Sequence, residues 1–79
     1  MCLGIPMRVE EVNNGVARCR AKGVERQVSV LLLEHDPPRE GDYVLVHVGY
    51  AIQKLSEEDA RLVWELLEAM TPMQEEDHV

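Results

Sequence analysis

Two turn signals fall within the first thirty residues, and they constrain the fold more than any other feature. Asn13-Asn14-Gly15 separates Ile5-Pro6-Met7-Arg8-Val9-Glu10-Glu11-Val12 from Val16-Ala17-Arg18-Cys19-Arg20, and Ala21-Lys22-Gly23 separates that run from Val24-Glu25-Arg26-Gln27-Val28-Ser29-Val30. Asn and Gly accept positive φ, which a tight hairpin demands. In the third run Val24, Val28 and Val30 alternate with Glu25, Gln27 and Ser29, the period of a half-buried strand. Three short strands joined by tight turns make a β-meander.

The Leu31-Leu32-Leu33 run continues or bends the third strand. His35 to Asp42 is a loop, since Pro37 and Pro38 cannot donate to a ladder. Residues 43–52, YVLVHVGYAI, read as one further strand with Tyr43, Leu45 and His47 on one face and Val44, Val46 and Val48 on the other, and with Gly49 as a bulge or bend. At Ser56 the period changes. Ser56-Glu57-Glu58-Asp59 approximates a capping box, and a helix is expected over 57–70, ended by Thr71-Pro72. Ala60, Val63, Trp64, Leu67 and Met70 form its apolar stripe, widened by Leu62 and Leu66. These elements predict a mainly β fold: one OB-like five-stranded barrel with a C-terminal α-helix, a single domain over 1–72. Residues 73–79 are expected to be a disordered acidic tail.

Charge narrows the partners. Residues 1–55 hold seven Lys/Arg and seven Asp/Glu, whereas residues 56–79 hold Arg61 against eight acids, which accounts for the whole net charge of −7. An acidic C-terminal part repels phosphate backbones, and Tyr43, Tyr50 and Trp64 are the only aromatics, so a nucleic-acid-binding barrel lacks both a basic groove and stacking rings. No apolar run approaches the roughly 20 residues that cross a bilayer. A cytoplasmic chain with no membrane association is expected, its Cys2 and Cys19 both free thiols.

The chemistry concentrates at the N-terminus. Cys2 is small enough for the initiator methionine to be trimmed, which would leave thiol and α-amine on neighbouring atoms. A thiol of pKa about 8.5 is roughly 3% ionised at pH 7, and lowering it by about one unit gives roughly 25%, a several-fold gain in ligand or nucleophile. A soft metal such as iron or an electrophilic carbon could use it. The plainer reading makes Cys2 a small apolar residue at the start of strand one. Gly4 and Pro6 favour function, because alternating small and rigid residues hold the terminus extended and leave a partner backbone room to approach. Cys19 between two arginines reads as ordinary packing. His47 reads as a hydrogen-bonded core or groove histidine, or else as a second ligand or orienter near Cys2. His35 and His78 read as loop and tail residues. No phosphate loop, metal-ligand spacing or Ser/His/Asp or Cys/His/Asn set is present, which disfavours an enzyme. The competing readings are a nucleic-acid module and a thiol enzyme or redox sensor acting through Cys2.

Taken together, Met1-Cys2-Leu3-Gly4-Ile5-Pro6 and residues 41–52, GDYVLVHVGYAI, resemble the hydrogenase-assembly chaperones of the HypC/HupF type. The resemblance implies a non-enzymatic barrel with a C-terminal helix. Independently of it, a monomer when alone, with exchangeable partners, is the simplest expectation. The resemblance further implies binding to an iron-sulfur partner of the HypD type, transient carriage of iron with its cyanide and carbon monoxide ligands, and delivery to the precursor of the nickel-iron hydrogenase large subunit. By residue match, Cys2 becomes the iron ligand and, with Leu3, Gly4, Ile5 and Pro6, the partner contact; His47 becomes the family's strand histidine. Met7 stands where many relatives have Gly, and Tyr50 where many have Phe.

Overall fold

In the computed structural model, residues 4–78 are described, with side chains over 4–69. The elements are β1 (Ile5–Asn13), β2 (Val16–Ala21), β3 (Val24–Ser29), a 3-10 turn at Leu31–Leu33, β4 (Tyr43–His47), β5 (Tyr50–Leu55) and α1 (Glu57–His78). The strands form a closed barrel in the order β1-β2-β3-β5-β4, the expected OB-like topology. β1 serves both halves of it. Ile5 to Arg8 pair antiparallel with Val46 to Tyr43, and Arg8 to Asn13 pair with Arg20 to Val16. A register shift between Val9 and Glu11 bends the strand from one partner toward the other. Closure between β3 and β5 rests on a single parallel pair, Ser29 with Tyr50.

The inward positions of the alternation form the core: Met7, Val9, Ala17, Cys19, Val28, Val30, Val44 and Ala51 are buried, and most of these side chains are small, as a narrow barrel requires. Arg18 and Arg20 take the outward positions on either side of Cys19. There Arg18 meets Glu25 at 2.7 Å and Glu11 at 3.1 Å, and Arg20 meets Glu25 at 3.0 Å.

The segment expected as one strand over 43–52 is two strands. Val48 and Gly49, at φ 51° and 81°, form a two-residue turn between β4 and β5. The same pair of angles recurs at Asn14-Gly15 (54°, 80°) and Lys22-Gly23 (52°, 82°), the signature of type I′ hairpins. Asn-Gly suits that geometry; a β-branched valine does not, and for this reason the local pattern at Val48 reads as strand although the chain turns there. Leu31–Leu33 leaves the ladder as a 3-10 turn instead of continuing β3, and exposes Leu31 and Leu32.

Ser56 caps α1, its Oγ accepting the amide of Asp59 at 3.0 Å. Ala60 is buried and Val63, Trp64 and Leu67 are half-buried, but Leu62 and Leu66 face solvent, so the packed stripe is narrower than expected. The helix passes Met70, where Thr71-Pro72 was expected to end it, and continues to His78. A proline removes one amide donor from the ladder, and the Met, Gln and Glu residues after it are good helix formers. No described helix is long and apolar enough to cross a membrane.

Candidate functional site

The start of β1 lies against β4, and glycine makes that approach possible. A Cβ on Gly4 would stand 2.5 Å from Leu45 Cγ and 2.9 Å from Leu45 Cδ1. The room beside Gly4 itself is therefore taken by the chain's own Leu45; the approach of a partner backbone to Cys2, which the sequence suggests, lies outside the described residues. Leu45 pairs with Pro6, and two residues further along β4 is His47, paired with Tyr50 at the mouth of the β4–β5 turn. His47 is half-buried, and among the described residues its ring has no hydrogen-bond or ion-pair partner, so the expected bonded histidine is not observed.

Of the five residues proposed to contact a partner, Cys2 and Leu3 lie outside the described residues. Gly4 is half-buried against Leu45 and Ile5 is 44% exposed. Pro6 is buried, and its carbonyl accepts a 2.9 Å hydrogen bond from Trp64 Nε1. That bond has a reason in the topology. β1 pairs with β2 only from Arg8 onward, so the Pro6 carbonyl would otherwise be an open acceptor beneath the helix. Lys22 completes the seam, its Nζ lying 5.1 Å from the centre of the Trp64 ring and 2.6 Å from Glu68. Met7, one of the two departures from the family pattern, fills the barrel interior; Tyr50, the other, is half exposed beside His47.

Cys19 packs in the core, as expected, and burial, reinforced by the Glu10 charge, pushes its thiol up to about 11. It is a poor nucleophile and a poor ligand in that state. His35 is exposed in the loop after the 3-10 turn, and the side chain of His78 lies outside the described residues. Among the described residues no three His, Cys, Asp or Glu side chains converge on a point that could hold a metal ion.

Residues 1–67 match the model of the HupF/HypC family, a span that includes Cys2, the whole barrel, His47 and Trp64. The chain belongs to the HupF/HypC family. This HupF/HypC chain is 46% identical over 63 residues to the hydrogenase expression/formation protein HupF of Bradyrhizobium diazoefficiens, a match covering 80% of the chain and 62% of that relative. It is 44% identical over 69 residues to the hydrogenase maturation factor HypC of Azotobacter chroococcum, covering 85% and 79% of the two chains. The HypC of Helicobacter hepaticus is 41% identical over 80 residues, covering 99% and 92%. The β4–β5 hairpin tip and the Gly4–Leu45 contact are the features that spacing did not reveal. A Val-Gly pair within an alternating apolar run was the available signal.

Proposed function

We propose that the protein is a hydrogenase maturation chaperone of the cytosol that carries iron, bearing cyanide and carbon monoxide ligands, as cargo between two partners. One is an iron-sulfur protein of the HypD type on which that fragment is built, and the other is the precursor of the nickel-iron hydrogenase large subunit. Family membership supports the maturation role. The observation that carries the site reading is the contact of Gly4 with Leu45, because it brings β1 onto the strand that ends in His47.

Cys2 is two residues from Gly4, a reach of about 7 Å for extended chain. In this reading the Cys2 thiolate supplies one soft ligand to Fe(II), the partner supplies another, and His47, without a bonding partner among the described residues, orients or completes the set. A carrier that contributes so few ligands lets the cargo leave; a closed set of four would retain it. Ile5 is the exposed aliphatic contact of the described segment, with Gly4 and Pro6 fixing where the terminus emerges. The chain itself performs no bond-breaking step.

The test is infrared spectroscopy and iron analysis of tagged protein purified anaerobically from hydrogenase-producing cells. Cyanide and carbon monoxide stretches are expected in the wild type, lost in Cys2→Ala and weakened in His47→Ala. Equal bands in wild type and Cys2→Ala would overturn the assignment of Cys2. Absence of both bands and iron from wild type that has co-purified with its iron-sulfur partner would overturn the carrier reading.

A further inference from the structure

A second feature lies on the inner face of the barrel, away from the outward side chains of Leu45 and His47. Between the start of β1, the first half of β3 and the β4–β5 turn is an open cup of about 350 Å³. Buried Met7 and Val28 lie at its base beside Val46 and Arg26, Trp64 and the Glu68-paired Lys22 line it on the helix side, and exposed Ile5, Val24 and Val48 stand at its mouth. The three rim residues are 44%, 44% and 78% exposed, an apolar ring turned toward water. β3 has its parallel partner only at Ser29, so the stretch from Val24 to Gln27 borders the cup without a second strand.

Two observations indicate what the cup receives. The first is Val48. It occupies the leading position of a type I′ turn at φ 51°, where Asn, Asp and Gly are favoured and a β-branched side chain is strained. It contributes nothing to the core, being the most exposed large apolar side chain among the described residues. Backbone strain of this kind clusters at functional sites such as ligand clamps, and an exposed apolar side chain there is available for contact. The second is Arg26. Arg18 and Arg20, on the outward face of the adjacent strand β2, are neutralised by carboxylates, whereas among the described residues the Arg26 guanidinium, across from Cys19, has no acidic partner and reaches only the Glu25 carbonyl, at 3.5 Å.

We propose that the cup is a docking site for a partner polypeptide that inserts one aliphatic side chain, with a neighbouring carboxylate held by Arg26. The volume is at the small end for ligand sites and suits one or two side chains better than an organic cofactor. A planar guanidinium beside an apolar wall recognises a carboxylate in two-pronged fashion, which gives the site its preference for an acidic neighbour. The site goes beyond the iron-carrier reading and does not require it, since neither Cys2 nor His47 takes part.

The probes are two capped peptides, acetyl-Gly-Gly-Leu-Asp-Gly-Gly-amide and its twin with Asn in place of Asp, titrated into isotopically labelled full-length protein and followed by amide chemical shifts. Saturable shifts confined to the lining of the cup, residues 5–7, 21–28, 46–49 and 64, are expected, with dissociation constants in the millimolar range for so small a ligand. The Asn twin, and Arg26→Gln with the Asp peptide, are each expected to bind about tenfold more weakly, the loss of one charge-assisted pair. Val48→Asn is expected to weaken binding while leaving the spectrum folded. Absence of saturable shifts, shifts elsewhere, equal binding of the two peptides, or equal shifts with acetate alone would each overturn the proposal. Failure of the iron-carrier reading would leave all these peptide results unchanged.

Discussion

Trp64 on the helix and Pro6 in β1 are joined by a hydrogen bond of 2.9 Å across 58 residues of chain, indole N–H to backbone carbonyl. The helix is thereby fastened to the strand that carries the N-terminal segment, and the only indole in the protein serves as that fastening.

Trp64→Phe is therefore expected to cost about 1–2 kcal/mol, because it keeps most of the apolar contact and leaves a buried carbonyl unpaired. For a chain of this size each kcal/mol lowers the melting temperature by about 4–8 °C, which calorimetry would read directly. Lys22→Ala should cost under about 1 kcal/mol, since its ion pair with Glu68 is exposed on both sides.

Gly4→Ala drives a methyl group into Leu45. The expected loss is about 1–3 kcal/mol, as for other insertions into filled space. Leu45→Ala in the same chain should recover part of it. A double-mutant cycle in urea with a coupling energy near zero would show that the two residues do not meet.

Val48→Asn relieves the turn. An Asn at this position should raise stability by about 1 kcal/mol, since Asn tolerates the left-handed geometry that strains a β-branched side chain. A rise in the urea midpoint with an unchanged slope is the expected result.

Cys19 makes stability depend on alkaline pH. Its thiol titrates near 11 when folded and near its ordinary value of 9 when unfolded. Between those two values the folded state holds more protons, so stability is constant below about pH 9 and falls as pH rises toward about 11, by at most about 1.4 kcal/mol per pH unit. Cys19→Ala should start lower, for want of volume, and show a flatter decline. Alkylation of Cys19 by iodoacetamide at pH 8 should wait on unfolding.

The parts of this fold that were legible in the sequence are those in which local chemistry and the fold agree. Asn14-Gly15 and Lys22-Gly23 announced two hairpins, the alternation around Cys19 placed it inward with Arg18 and Arg20 outward, and Ser56 marked the helix start. Where local preference and fold conflict, the reading failed. Val48 argues for strand and sits in a turn; Leu31 and Leu32 argue for core and are exposed; Pro72 argues for a helix end and lies within α1. Closure by Ser29 and Tyr50 is a long-range pair with no local trace. Of the candidate site, His47 and Gly4 were visible as residue types. Their relation through Leu45 was not, because it arises from the β1–β4 register.

The single pair at Ser29 and Tyr50 also bears on how the barrel assembles. Hairpins β1–β2, β2–β3 and β4–β5 each close over two residues, so most pairing is local and fast, whereas the junctions of β1 with β4 and of β3 with β5 must bring distant segments together. The β3–β5 junction has the least to hold it: one pair, and a 2.9 Å bond from the Ser29 amide to the Gly49 carbonyl. It should be the last seam to seal on the way to the native barrel and the first to part, so the Ser29 amide is expected to exchange with solvent before those at the centre of the meander.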